Sequence, residues 1–466
     1  MQHKRTGKTG TATEHPIDNS ALIHLAVHNK WHSNVFRLEC HLKNAVCPAR
    51  LQQAVDAVAV RFPMLAAGIQ KRENGFAVVP CPKDLNIRVD SQPLLHLSRE
   101  DIRDCAMRVL YGTHHIAVEF FHSLTDGCGG LQFLKGLLAE YFGVPMQPLP
   151  IKEAWEDSYQ KYADRGTPTS MPGGVSYLLP AAPPENSPVH RTTLTFSVDE
   201  LRARAKAEHT TLTAWFTALF AQTAMQLQYQ NITPDRPWQP VQIMVPIDLR
   251  KRFPSASCRN FSLYALPKLT LDAAKGSFSE IAESMAVQIQ AQSSYARLQS
   301  AIATNVALER KTSALPLWIK CAALRKGFEI CGGRSSCITL SNLGQVTFPD
   351  PIQREIERLD FLLTPRAHSP YNCGIISVGN TLSLTITRRG PERGFEKIFC
   401  NTVGKSKRLK SNPNQKAIYN KQRLMTQGFC VNQRSITHAI FLLQSVSRYG
   451  IHIIRKACAK ERTIIQ

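Results

Sequence analysis

The mostly apolar segment Ile116–Phe121 is followed a few residues later by Asp126-Gly127, a dipeptide typical of tight turns. Apolar side chains then recur at helical spacing, which predicts an amphipathic helix with one apolar face: Leu131, Leu134, Leu138 and Tyr141. A buried strand that turns directly into a helix requires a sheet with helices packed against it. The chain must therefore fold with mixed α/β structure around this segment.

The same kinds of signal occur before and after this segment. Residues 34–42 alternate between apolar and polar side chains, which predicts a half-buried strand with Arg37, Glu39 and His41 on its exposed face. A helix is predicted to begin at Pro48 and to end before Pro63. The second half repeats the mixture. Strands are predicted at Thr192–Phe196, ending in Val245-Pro246, and around 338–340, 374–378 and 382–387. Helices are predicted after the Ser197/Glu200 capping box, at Leu212–Gln228 and within 273–328.

Proline density marks a candidate connector between the two halves. Nine of the 28 prolines lie between Val144 and His190, a density that favours extended chain. We therefore predict an N-terminal subdomain (20–150), a Pro-rich connector (151–190), a C-terminal subdomain (191–403) and a basic tail (404–466). Two α/β sandwiches that meet at a cleft are the simplest architecture consistent with this order.

The formal net charge of +22 is unevenly distributed along the chain. The tail, 404–466, holds 13 Lys and Arg residues against one acid, or +12, which leaves +10 for the rest. A mildly basic globular part does not indicate nucleic-acid binding, and it suits an anionic, phosphate-bearing substrate. Within the tail, 405–410 is a basic run and 436–454 fits an amphipathic helix. Two hypotheses follow: the tail binds a membrane surface or an acidic partner, or it is an appended sequence without function.

Cysteine usage and hydropathy bear on the compartment. The 13 cysteines are scattered and odd in number, which predicts reduced thiols and neither a disulfide framework nor a zinc site. No apolar run approaches the roughly 20 residues of a membrane helix, and the N-terminus has no apolar core like that of a signal peptide. These features predict a cytoplasmic protein with no transmembrane segment.

His122 directly follows the predicted buried strand and stands four residues before Asp126. An imidazole titrates near neutrality, so it can take a proton from a hydroxyl and later protonate a leaving thiolate. A thioester donor is already activated and needs no nucleophilic serine or cysteine. The alternative interpretation is structural: Asp126 caps the following helix, Gly127 and Gly129 ease the turn, and His122 is a satisfied core histidine.

The strand–His-x-x-x-Asp-Gly–helix arrangement resembles the chloramphenicol acetyltransferase superfamily, which includes nonribosomal peptide condensation domains, polyketide-associated acyltransferases and alcohol acetyltransferases. Three further segments are similar to segments of that family and occur in the same order: Leu51–Gly68, Val245–Arg250 with Arg259–Phe261, and Ser341–Gly344. The resemblance covers roughly 19–403. It implies an α/β fold of two chloramphenicol acetyltransferase-like sandwich subdomains that form a V around a central substrate tunnel.

The resemblance also implies roles for particular residues. His122 would be the general base facing the tunnel. Asp126 would point away from it and pair with an arginine, which we assign to Arg250, with Arg252 and Arg259 as alternatives.

Three more residues, the cofactors and the substrates follow from the same resemblance. Gly127 would adopt a backbone conformation closed to other residues, and Ser341 or Asn342 would donate a hydrogen bond to the oxyanion. No metal and no bound organic cofactor is expected. Acetyl-coenzyme A or another acyl-coenzyme A would be the co-substrate, and the acceptor would be a small-molecule alcohol or amine.

One position departs from the pattern of condensation domains, which usually carry a histidine where this chain has Phe121. The departure favours transfer from an acyl-coenzyme A, with acetyl transfer to an alcohol as the main hypothesis. Two alternatives stay open: a stand-alone condensation-type enzyme that uses an acyl group on a carrier protein, and a catalytically silent binding or scaffold protein of the same fold.

Overall fold

The structure is a computed structural model that describes residues 14–29, 32–73, 75–81, 85–91, 94–145, 155–169, 173–180, 187–231, 238–329, 333–366, 369–390 and 393–405. These residues belong to one compact unit, Met1–Lys407. Most of the predicted basic tail, from residue 406 onward, lies outside the described residues, so both hypotheses about it stay predictions.

The strands of the described residues are, in chain order, β1 (His15–Pro16), β2 (Val35–Leu42), β3 (Ala67–Arg72), β4 (Gly75–Pro80), β5 (Arg88–Val89), β6 (Met107–Tyr111), β7 (His115–Phe121), β8 (Val189–Ser197), β9 (Val241–Asp248), β10 (Ser262–Ala265), β11 (Lys268–Leu269), β12 (Ile338–Val346), β13 (Ile356–Leu363), β14 (Tyr371–Val378) and β15 (Thr381–Arg389).

The helices are α1 (Asn19–Val27), α2 (Pro48–Arg61), α3 (Arg99–Asp104), α4 (Gly127–Phe142), α5 (Ser158–Ala163), α6 (Val198–Ala207), α7 (Leu212–Gln230), α8 (Phe278–Gln292), α9 (Tyr295–Thr312), α10 (Leu317–Gly327), α11 (Asp350–Gln353) and α12 (Gly394–Lys405). None of these helices combines the length and apolar character that a bilayer crossing requires.

The first large sheet has the strand order β13-β2-β7-β6-β5. Strand β2 pairs antiparallel with both neighbours, so that Val35 lies opposite Phe121 of β7 and Phe36 lies opposite Leu363 of β13. Strands β7 and β13 therefore run in the same direction and end at the same edge. Because β13 falls within the range 191–403, the chain returns late in its length to complete the sheet that its first part begins.

The second large sheet has the order β10-β9-β12-β14-β15-β8, with β11 also paired to β9. Strand β12 is parallel to both β9 and β14, and the other pairs are antiparallel. On this sheet, α7 and α12 share an aromatic contact, in which the ring of Phe220 lies 5.4 Å from Phe395 and 4.6 Å from Phe399. A third, small sheet joins β1, β4 and β3. The predicted α/β mixture is present in both halves of the chain.

Local signals placed several helices correctly. Helix α2 begins at Pro48, ends at Arg61 before Pro63, and buries the predicted apolar stripe. Helix α4 is capped by Asp126 and ends at Gly143, whose φ of 67° is the left-handed conformation that glycine adopts without strain. The predicted capping box at α6 is only half present, because Ser197 accepts from the Glu200 amide while the Glu200 carboxylate pairs with Arg204.

Strand β2 differs from the prediction because both of its faces are buried. Glu39 is fully buried, and its Oε2 accepts from Arg37 Nε and from Arg191 Nη1, each at 2.8 Å. Arg191 lies on β8 of the second sheet, so the polar face of β2 is covered by the rest of the fold rather than by water. Alternation in the sequence identified the strand, but it could not show that ion pairing allows charged residues to be buried.

The cysteines also depart from the prediction of reduced thiols. Cys81 and Cys105 form a disulfide with a Cα–Cα distance of 5.4 Å. It joins the residue after β4 to the residue after α3, two elements that are separate in sequence. The scattered spacing of the cysteines gave no sign of this pairing, because only the fold brings the two Cα atoms within bonding reach.

Helix α12 gives a test of where the folded unit ends. Phe395 and Phe399 are fully buried and Val403 is nearly so. A chain that ends at Lys405 should therefore keep the thermal stability of the full chain. A chain that ends at Gly390 should lose at least about 3 kcal/mol, since each buried phenylalanine contributes about 1.5–3 kcal/mol. Thermal unfolding followed by circular dichroism measures both. An insoluble chain ending at Lys405 would show that later residues complete the fold.

Candidate active site

His122 lies at the edge of the first sheet, immediately after β7. Its backbone N–H donates to the carbonyl of Asn34 at 2.8 Å, which continues the pairing of β2 with β7 beyond the end of the strand. His122 as a residue is half-buried, and its ring meets the ring of Phe36 edge to face at 5.2 Å. The sheet thus presents the histidine at its end, as the sequence predicted.

Asn260 fixes the tautomer of His122. The Nδ2 of Asn260 donates to the His122 carbonyl at 2.7 Å, and a carbonyl oxygen only accepts, so the amide orientation of Asn260 is determined. Its Oδ1 then faces His122 Nδ1 at 3.1 Å, and Nδ1 must carry the proton. The other ring nitrogen, Nε2, is left with a free lone pair. Asn260 lies within the Arg259–Phe261 segment, and no role was predicted for it from the sequence.

Two opposing influences set the pKa of His122. Burial is the larger, and it holds the pKa below the ordinary value of 6.5 because the charged ring loses hydration. The negative charge of Asp126 and the hydrogen bond from Nδ1 to Asn260 act in the other direction. The ring is therefore neutral at neutral pH and available as a base.

Asp126 uses both carboxylate oxygens in structural contacts. Oδ1 caps helix α4 by accepting from the amides of Cys128 at 3.1 Å and Gly129 at 3.0 Å. Oδ2 accepts from Arg250 Nη1 and from the Phe261 amide, both at 2.9 Å. Helix capping and the arginine pair, which the sequence analysis weighed as separate interpretations, occur together. None of these four contacts involves the ring of His122.

Arg250, the partner assigned from the resemblance, is held by several acceptors. Its Nε donates to the Ser257 carbonyl at 2.9 Å and its Nη2 to the Arg259 carbonyl at 2.6 Å, while Nη1 also contacts Asp248 at 3.0 Å. The two alternatives lie elsewhere: Arg252 is exposed, and Arg259 pairs with Asp18. Because Nε, Nη1 and Nη2 of Arg250 all donate hydrogen bonds, the planar guanidinium fixes the loop that carries Asn260.

Gly127 is closely packed, but it does not adopt the special backbone conformation that the resemblance implied. The left-handed residues of the described chain do not include it, and it stands as the first residue of α4. A Cβ added at Gly127 would lie 2.9 Å from Leu343 Cδ2 and 3.2 Å from Phe361 Cζ. The prediction of a special backbone conformation is therefore wrong. A larger residue at this position would have to displace these two side-chain ends of β12 and β13.

Ser341 and Asn342 lie within β12 rather than in a turn. The Asn342 side chain is engaged, with Nδ2 donating to Thr213 Oγ1 at 3.1 Å and Oδ1 accepting from the Gly344 amide at 2.8 Å. Nothing among the described residues hydrogen-bonds to the Ser341 hydroxyl. Of the two oxyanion candidates, Ser341 is thus the one with a donor to spare.

A second histidine beside His122 escaped the sequence analysis. His24, on helix α1, stacks on the His122 ring with a centroid distance of 4.3 Å and an interplanar angle of 10°. The sequence assigned no element to residues 19–27, because this nine-residue helix has no clear apolar stripe. Because His24 and His122 are 98 positions apart, their contact leaves no local signal in the sequence.

One cluster of potential metal ligands occurs in the described part of the chain. Glu39, His41 and Asp360 each place one ligand atom within 4.8 Å of the others. Guanidinium groups already occupy the cluster, since Arg37 and Arg191 bind Glu39 and Arg358 Nη2 lies 3.1 Å from His41 Nε2. Positive charge at this density opposes a metal cation.

Comparisons with known proteins bear on the fold. No family model and no curated protein matches the sequence. Solved structures do match. Polyketide synthase associated protein 5 from Mycobacterium tuberculosis is 16% identical, with a TM-score of 0.54 over 85% of this chain and 97% of that one. TRI101 of F. graminearum complexed with coenzyme A and T-2 mycotoxin is 12% identical, with a TM-score of 0.56 over 87% and 99%.

The starter condensation domain of rhizomide synthetase RzmA, in complex with C8-CoA and Leu-SNAC, is similar at 12% identity, with a TM-score of 0.56 over 85% of this chain and 94% of that one. Each match spans nearly the whole of the known chain. At such low identity the likeness establishes the fold alone. The chain therefore has the mixed α/β fold of these three solved structures.

Proposed function

We propose that the protein is an acyl-coenzyme A-dependent acyltransferase that moves an acetyl group from the thioester to an alcohol hydroxyl. The observation that carries the proposal is the Asn260 contact, which leaves Nε2 of a neutral His122 unprotonated at the edge of the sheet. A base in this state is the one requirement of acyl transfer from an activated thioester.

The proposed reaction needs only His122 as a proton carrier. Nε2 takes the proton of the acceptor hydroxyl as its oxygen attacks the thioester carbonyl. The tetrahedral intermediate carries a negative oxygen, which the Ser341 hydroxyl is available to bind. Collapse breaks the carbon–sulfur bond, and the leaving thiolate takes the proton back from Nε2. The ester and free coenzyme A are released, and His122 returns to its starting tautomer.

The comparisons add support at the level of fold. Among solved structures of this fold, TRI101 is complexed with coenzyme A and a toxin, and the RzmA domain with C8-CoA. Those ligands belong to those proteins, and we extend them to this chain as part of the proposal. Mild basicity of the part before the tail suits a donor that carries phosphates.

The condensation domains among the matches favour one alternative, in which the acyl group arrives on a carrier protein. Incubation with free acyl-coenzyme A donors and a panel of alcohols, with thiol release followed, tests the main proposal. Transfer only from a loaded carrier would support the alternative. Release from neither donor would leave a binding or scaffold protein.

His122→Ala should still fold and should lower acyl transfer by about 10²- to 10⁴-fold, the usual contribution of a positioned general base. The exposed His114 provides a matched control, and His114→Ala should keep full activity. Initial rates of thiol release measure both variants. Full turnover by His122→Ala would rule out His122 as the base.

The pH profile tests the electrostatics around His122. Protonated His122 cannot accept a proton, so kcat/KM should fall with decreasing pH only below the ordinary histidine pKa of 6.5. Asp126→Asn removes a negative charge that raises the pKa of His122, so the fall should move to still lower pH. The exposed Asp272 is the control, and Asp272→Asn should not shift the profile. A shift to higher pH in Asp126→Asn would contradict the assigned charge interaction.

Breaking the Asp126–Arg250 ion pair should lower the free energy of unfolding more than removing an exposed charge such as that of Arg252. Because the side chains are only 6% and 14% exposed, Asp126→Asn and Arg250→Ala should each cost about 3–5 kcal/mol of unfolding free energy. The double variant should be less damaged than the sum of the singles, since both changes remove one interaction. Arg252→Ala, at an exposed position, should cost little. Denaturant unfolding measures all four, and additive losses would show that the pair does not couple.

A further inference from the structure

Helix α1 is tied to the candidate site by its N-cap and its first turn. Asp18 caps α1 and pairs with Arg259, the residue before Asn260. The Ser123 hydroxyl, in the turn after His122, donates to the Ala21 carbonyl at 2.8 Å. These contacts join α1 to the two segments that orient His122. Residues on the next turn of α1 are therefore held at a fixed place relative to its ring.

Asn34 orients His24 and His122 together. Its Nδ2 donates to the His24 carbonyl at 3.0 Å, so its Oδ1 faces His24 Nδ1 at 3.3 Å and that nitrogen carries the proton. Its own carbonyl accepts from the His122 amide at 2.8 Å. Asn34 adopts a left-handed conformation with φ of 52°, which asparagine tolerates better than most residues. One residue thus sets the positions of both rings.

The two rings differ in how readily they take a proton. Burial and the neighbouring His122 hold the pKa of His24 well below its ordinary value. When His122 takes a proton in the proposed reaction, its partner in the stack is therefore a neutral aromatic ring. A cation against the face of such a ring is attracted to it, whereas a second cation would be repelled.

We propose that His24 is a positioning residue for His122: its neutral ring stacks on the imidazole, fixes the plane of the base and stabilises the imidazolium that forms during transfer. The proposal rests on the proposed function for its catalytic consequence. The stacking itself does not depend on it.

Two replacements of His24 separate the effect of the ring from the effect of filling space. His24→Phe and His24→Leu both lose the bond to Asn34 and both keep water off His122. Only phenylalanine retains an aromatic face. The pKa of His122, measured by NMR titration of its ring C–H signal, should be lower by roughly 0.5–1 in the leucine variant than in the phenylalanine variant. The missing signal in His122→Ala assigns the resonance.

Activity provides the second measurement. His24→Phe should keep kcat within about twofold of the parent, and His24→Leu should lose about fivefold or more with little change in KM. Thermal unfolding checks that both variants are folded, and His24→Met replaces the leucine variant if that one is not. A merely structural role would lower stability without separating the two pKa values.

Equal His122 pKa values in the aliphatic and aromatic variants would overturn the stacking proposal, whatever the activity. An inactive parent in which His122 still titrates as described would instead overturn the proposed function and leave the stack in place. The two failures are therefore distinguishable in one set of samples.

Discussion

The carboxylate of Asp126 joins the start of α4 to a segment of the chain that lies more than 120 residues later. One oxygen holds the first amides of α4, and the other holds Arg250 and the amide of Phe261. Arg250 in turn holds the carbonyls of Ser257 and Arg259, so the loop that presents Asn260 is fixed relative to the strand that presents His122. A buried carboxylate with four donors is stable only while all of them are in place. Its interaction therefore orients the base without touching it.

Sequence patterns predicted the elements whose causes are local. The stripe of α2, the turn at Asp126-Gly127 and the strand before His122 follow from spacing and turn chemistry, and the order of several motifs predicted the fold class. Asn260, His24 and the Cys81–Cys105 disulfide were missed, because each contributes through a partner that only the fold brings close. The conformation predicted for Gly127 was wrong, and the approach of Leu343 and Phe361 to this residue leaves no trace in a single sequence.

The buried polar face of β2 shows a similar division between local and tertiary causes. Alternation correctly placed Arg37 and Glu39 on one face, and hydropathy assigned that face to water. In the structure that face is buried, and Arg191 from the second sheet binds Glu39 there. Such a contact adds little net stability compared with an apolar interface, but it is satisfied in only one arrangement of the two strands. It fixes which surfaces of the unit meet.

The position of β13 has a consequence for the synthesis of the protein on the ribosome. About 240 residues separate the end of β7 from the end of β13. Because the ribosome adds about 5–20 residues per second, β13 is synthesised roughly 10–50 s after β7. During that time the edge of β2 that will pair with β13 has no neighbouring strand. An unpaired strand edge is a template for association with other chains. Until its last strand emerges, the nascent chain therefore exposes that edge of β2 to pairing with other chains.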